Sequence, residues 1–174
     1  RAATSWKANW RSDAAATVRA VAQANQYANL RQFKAGGEIL DRVLERVPKF
    51  APALAGRGYA LTLQGRAAEA IAAYTAAYAS YAEQPELIQA DDLGFGAVCA
   101  TLAQLHATGP HASPEVFHLA SGLADLAIKF LPQSAKCHLA QGMVLLRYKD
   151  PGAEHALERA FEIDPSNRRV RMFL

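Results

Sequence analysis

The stretch LAGRGYALTLQGRAAEAIAAYTAA, running from Leu54 to Ala77, decides the fold. Within it Leu54, Gly58, Leu61, Gly65, Ala70, Tyr74 and Ala77 alternate large and small side chains at helical spacing, across a break at Gln64-Gly65-Arg66. Small residues at fixed positions let two antiparallel helices approach closely, and large ones fill the groove between them. The segment therefore predicts two helices folded back on each other. Such a hairpin cannot bury its own apolar face alone, so further hairpins are expected on either side.

The same pattern returns along the chain. Upstream, Phe33, Gly36, Ile39, Leu40, Val43 and Leu44 form one stripe that stops at Pro48, with Ala24 and Tyr27 as the small and large residues of the helix before it. Leu40 and Val43 precede Tyr74 and Ala77 by one repeat of about 34 residues. Downstream, Leu139, Gly142, Met143, Leu145 and Leu146 predict a first helix. Asp150-Pro151 is expected to cap a second one, with Ala153, Ala156, Ala160 and Phe161 facing the core.

Between them lies an irregular hairpin. Its first helix is predicted from about Gln89 to His106, its loop is Ala107–Ser113, and Ser113-Pro114-Glu115 restarts a helix with Ser as N-cap and Pro at the first helical position. Ser12 or Asp13 is the expected N-cap of the very first helix.

These residues resemble the tetratricopeptide repeat (TPR) family, whose unit is a helical hairpin with small and large residues in this order and a closing proline. The resemblance covers nearly all of the chain after Ser12 and implies an all-α, right-handed α-solenoid, a TPR-like superhelix of about eight helices. Read as one domain, the chain divides into an N-terminal cap segment (1–12, with Trp6 and Trp10 packing as the cap) and repeats at 13–48, 49–85, 86–132 and 133–165. Repeat three is degenerate, and 166–174 starts a C-terminal cap.

Composition agrees with helices packed at short range. Of 174 residues, 38 are Ala, the strongest helix former and one of the least bulky side chains. No apolar run approaches the roughly 18 residues that span a bilayer. The net charge of +3 is spread among carboxylates, with its densest basic run at Arg168-Arg169-Val170-Arg171. A nucleic-acid face would gather Lys and Arg on one stripe, so RNA binding ranks last among the readings. Cys99 and Cys137 fall inside helical apolar patterns and read as buried free thiols, which fits a reducing compartment such as the cytoplasm. The start at Arg1 leaves a removed upstream segment open.

Candidate chemistry is thin. Asp91 and Asp92 are adjacent, so on a helix they diverge by about 100° and suit the helix dipole better than a catalytic pair. No two of His106, His111, His118, His138 and His155 share a His-x3-His spacing. Cys137-His138 lacks further ligands for a closed zinc site. No phosphate-loop or nucleophile motif occurs. Neither catalytic residues nor a cofactor or metal is expected.

The resemblance implies a binding groove built chiefly from the first helix of each hairpin. Carried onto this chain, it holds Asn25, Asn29, Tyr59 and Thr62 in the first two repeats and Lys136, Met143 and Arg147 in the fourth. Ala55 and, in the ambiguous third repeat, Asp91, Phe95 and Val98 are further contributors. Arg57, where the family has Leu, is expected near the groove edge. Tyr59 and Met143 also read as core, and Asn25 and Lys136 as solvated helix surface. The carboxylate clamp of chaperone-binding members is missing, because Val21 and Gly56 stand where that clamp has Lys and Asn. The function implied is a protein-interaction scaffold binding a peptide or helix of a partner, with self-assembly into a homo-oligomer as the alternative.

Overall fold

A computed structural model describes residues 5–110 and 113–174, with side chains from Ala15 onward. Every regular element among the described residues is a helix, without strands, and none of the helices is long and apolar enough to cross a membrane. They group into two compact units, 1–80 and 81–174.

The first unit holds α1 (Ser5–Asn29), α2 (Phe33–Arg46), α3 (Ala51–Leu63) and most of α4 (Ala67–Glu83). Helix α1 starts at Ser5, well before the expected cap at Ser12 or Asp13. Ala14, Ala15 and Ala16 carry no helix-breaking signal, and nothing polar at 12 or 13 outweighs propensity there. The predicted cap role of Trp6 and Trp10 falls on side chains outside the described residues.

Val21 and Ala24 of α1 meet Leu40, Val43 and Leu44 of α2, and Phe50 and Ala53 complete the cluster. The small-residue rule is visible in distances. A Cβ on Gly36 would lie 2.9 Å from the Ala24 carbonyl oxygen, and one on Gly58 2.7 Å from the Tyr74 ring. Tyr74 thus packs inside its own hairpin. Arg57 pairs with Asp41 of α2 and so faces the second helix of the preceding hairpin rather than the groove.

The second unit holds the end of α4 with Tyr81, then α5 (Pro85–Ala90), α6 (Asp92–Thr108), α7 (Pro114–Phe130), α8 (Ala135–Arg147), α9 (Ala153–Ile163) and a 3₁₀ turn at Val170–Met172. Helix α5 is unforeseen. Pro85 opens it, and the chain leaves helical geometry at Asp91, which restarts the helix by accepting a hydrogen bond from the Gly94 N–H at 3.1 Å. Ser113 caps α7 through the Val116 N–H, as its sequence predicts. Gly152, not Asp150-Pro151, is the N-cap of α9, while the Asp150 carboxylate accepts from the Gly152 N–H at 2.8 Å.

Helix α8 packs against α6, α7 and α9. At Gly142 a Cβ would lie 2.6 Å from Leu157 of α9. Phe161 does not face the core. It is 39% exposed, about 100° round α9 from Ala160 and outside the buried Ala153, Ala156, Leu157 and Ala160 face. The tail forms only the 3₁₀ turn, with Val170 buried and Met172 exposed, in place of a started capping helix.

Three hairpins close through one turn geometry. Arg31, Gly65 and Lys149 adopt left-handed φ values of 61°, 75° and 58°. In each, the turn residue's N–H bonds three residues back and the next N–H bonds five back, as in Gln32 N to Tyr27 O at 2.8 Å and Asp150 N to Leu145 O at 2.9 Å. This is the 6→1 and 5→2 pattern that satisfies the last carbonyls of a helix.

Candidate functional site

In the first unit the face shared by α1 and α3 carries the predicted groove residues. The Tyr59 hydroxyl donates to Asn29 Oδ1, joining the two helices. Asn29 and Thr62 are exposed and Tyr59 half-buried. The Thr62 hydroxyl donates back to the Gly58 carbonyl at 2.8 Å. The Arg31 guanidinium donates to the Leu63 carbonyl at 3.0 Å and closes one end of this face. Asn25 is placed differently. Its Oδ1 is buried without a hydrogen-bond partner, and a Cβ on Gly56 would lie 3.1 Å from it, so that oxygen is packed between α1 and α3.

In the second unit Lys136 and Arg147 stand at opposite ends of α8. Lys136 Nζ donates to Thr101 Oγ1 of α6 at 2.8 Å, and the buried Gln104 amide donates to the Lys136 carbonyl at 3.3 Å. The residue as a whole is exposed, but its ammonium is desolvated by the surrounding protein, which lowers its pKa; Cys137 opposes this in part, and the charge of Arg169 adds a smaller lowering.

Arg147 donates to the Gly109 carbonyl at 3.1 Å. Beside it the Tyr148 hydroxyl donates to the Ser113 carbonyl at 3.2 Å, with the Phe117 ring 4.7 Å from the Tyr148 ring. The end of α8 thus holds both ends of the α6–α7 connection. This is a role the sequence gives no sign of, since the partners are backbone oxygens. Met143 is not a groove residue. It is 6% exposed, because α8 has helical neighbours on three sides and its apolar arc is correspondingly wide. Phe95 and Val98 are likewise core, and Asp91 is a cap.

Asp91 also accepts from the Tyr81 hydroxyl, and Tyr81, Phe95 and Phe130 stack edge to face at 5.4 and 5.0 Å. Burial first, then the bond to Asp91 and its charge, hold the Tyr81 phenol protonated far above its usual range. Burial, with the nearby Cys137, pushes the Cys99 thiol up to about 12. Unfolded, these groups ionise near 10 and about 8.5. Above those values the unfolded chain has released protons that the folded chain still holds, so the stability they contribute is full below about pH 8.5 and is lost as pH rises. Urea midpoints measured from about pH 8 to pH 11 are expected to fall, and Cys99→Ala with Tyr81→Phe to flatten the decline. A wild-type midpoint constant over that range would contradict this assignment.

Both cysteines are free and buried, as predicted. His138 is buried and donates to the Pro132 carbonyl at 2.9 Å, His106 is pushed below its usual pKa by burial, and His118 and His155 are exposed. His111 lies outside the described residues, and among those described no three His, Cys, Asp or Glu gather as a metal site.

No family model matches the chain, and no curated protein matches it. Among solved structures the chain is similar to YrrB, described as a TPR protein with an unusual peptide-binding site, at 14% identity over 97% of this chain and 96% of that one, with a TM-score of 0.41. The helices described here, paired into hairpins with close contacts at Gly36, Gly58 and Gly142, are tetratricopeptide-like in their architecture.

Proposed function

We propose that the protein is a non-catalytic interaction scaffold that receives a peptide or helical segment of a partner protein on the faces of its first helices. The observation that carries this reading is the Asn29, Tyr59 and Thr62 face on α1 and α3: an exposed amide, an aromatic edge and a threonine side by side. The amide serves the backbone of a bound segment as donor and acceptor. Tyr supplies a large amphipathic contact of the kind enriched among binding hot spots. Lys136 and Arg147 offer cations on the corresponding helix of the second unit.

The test is capture of partners from a native lysate by the tagged protein and by an Asn29→Ala, Tyr59→Ala, Thr62→Ala variant. Loss of a hot-spot Tyr costs about 2 kcal/mol or more. Partners are therefore expected to bind the variant roughly 30-fold more weakly while its helical circular dichroism is unchanged. Full retention by a folded variant places binding elsewhere. A second reading, self-association, has the exposed Met172, Phe173 and Leu174 in its favour. Light scattering showing a monomer at high concentration removes it.

A further inference from the structure

Acid and base are unevenly spread along this chain. Positions 67 to 128 hold seven Asp and Glu and no Lys or Arg, whereas 166–174 hold three Arg and no Asp or Glu. Within the second unit each of these biased stretches also turns an apolar side chain to solvent. At the corner where α5 gives way to α6, Leu93 is 65% exposed, although α6 buries most of its residues from Phe95 to Ala107. Leu87 and Ile88 of α5 are only half-buried, and Glu86 and Asp92 on the same corner are exposed. In the segment after α9, Met172 is 74% exposed, and Arg168, Arg169 and Arg171 are exposed with it.

We infer that these two surfaces are the halves of one contact between copies of this chain: the 168–172 segment of one copy docks on the α5–α6 corner of another, Met172 against Leu93 and the arginines against Glu86 and Asp92.

A lone exposed leucine or methionine is ordinary at a protein surface. What singles out these two is the charge beside each. Among the described residues the ion pairs are Arg57 with Asp41, Arg66 with Glu69 and Arg159 with Glu162, so Glu86, Asp92 and the three arginines are in none. Asp91 is excluded from the contact, because its carboxylate already holds the Gly94 N–H and the Tyr81 hydroxyl. Asp92 accepts from the Leu93 N–H through Oδ1 alone. Each surface repels its own kind and attracts the other, which selects the unlike pairing. Both surfaces stay exposed in the single chain, so the chain does not cover one with the other. The basic, apolar surface that fits the corner is carried by the chain itself, which makes a second copy the occupant. A corner of a few residues and a short segment bury less than the roughly 1,200 Å² of a standard interface, so the contact is weak, reversible and dependent on concentration.

The inference goes beyond the scaffold face and rests on the self-association reading, for which it supplies both surfaces. Sedimentation equilibrium of the full chain is the test, with circular dichroism confirming that each variant is folded. The weight-average mass is expected to rise with concentration, and to rise much less in about 1 M salt, where the Debye length falls to about 3 Å. A Glu86→Lys, Asp92→Lys variant and an Arg168→Glu, Arg171→Glu variant are each expected to associate at least roughly tenfold more weakly, since like charges then meet across the contact. Mixed together they are expected to associate again, because each brings the surface that the other has lost. Leu93→Gln is expected to weaken association without altering its salt dependence, and Glu158→Lys, on α9, to leave it unchanged.

A wild-type chain that stays monomeric at high concentration overturns the contact and the self-association reading with it, while leaving the Asn29, Tyr59 and Thr62 face to its own test. Association that persists in both folded charge-reversal variants overturns this contact and leaves self-association standing through another surface. Loss in only one of the two variants, or a mixture that fails to associate, overturns the pairing of these two surfaces.

Discussion

Tyr81→Ala is expected to destabilise the protein by about 3–5 kcal/mol, the range for removing a large buried aromatic side chain. Tyr81 is fully buried, so nothing replaces the ring when it is cut away. Its edge-to-face contact with Phe95 is lost, and Phe95 then rests on Phe130 alone among these rings. The hydroxyl adds a second loss. It donates to the same carboxylate that caps α6, so Asp91 must hold the Gly94 N–H without the bond that fixes its orientation. Tyr81→Phe separates the two effects, keeping the ring and costing about 1 kcal/mol for the hydrogen bond. Urea denaturation followed by circular dichroism measures both. Equal costs for the two variants would mean that the hydroxyl, and not the packing, carries the contribution.

Gly58→Val is expected to cost about 2–3 kcal/mol, as overpacking of a filled interface does. The first added carbon would already lie 2.7 Å from a ring carbon of the buried Tyr74, and the ring cannot swing aside as the tip of a flexible chain would. The internal contrast is Gly37, one helix earlier, where an added Cβ meets nothing within 4 Å. There only the backbone effect remains, and Gly37→Ala is expected to stabilise by about 0.5–1 kcal/mol. Thermal melting of the two variants beside the wild type decides the matter. A neutral Gly58→Val would mean that α3 and α4 are not in close contact at that point.

The hairpins were legible because close helix approach leaves a mark on composition. Ala24 opposite Gly36, Gly58 under Tyr74 and Gly142 under Leu157 are all positions where a larger residue has no room, and their periodicity is visible in one dimension. The site was less legible, for two physical reasons. A groove position is defined by what lies beside a helix, and α8 has more neighbours than a narrow apolar stripe suggests, so Met143 fell into the core. Asn25 was misplaced for a related reason: Gly56 lets α3 come close enough to enclose its amide oxygen. In the third hairpin the interruption at Asp91 shifts the register, and Phe95 and Val98 went with it. The Arg147 and Tyr148 bonds to Gly109 and Ser113 use main-chain acceptors, which every residue possesses and no motif announces.

The shared left-handed turns at Arg31, Gly65 and Lys149 bear on how the chain is made as well as on how it stands. Each joins partners only a few residues apart, so the entropy of bringing two helices together is met over a very short loop. A ribosome adding roughly 5–20 residues per second takes seconds to deliver one hairpin. Contacts this local form in micro- to milliseconds. Each such hairpin therefore has time to close before its successor leaves the ribosome, and the small residues that admit its second helix are already in place when that helix arrives. The α6–α7 pair is joined without such a turn, and it is α8 whose Arg147 and Tyr148 secure its connection. Closure in the order of synthesis is thus open to the three turn-closed hairpins, while the α6–α7 connection is secured only once α8 has been made.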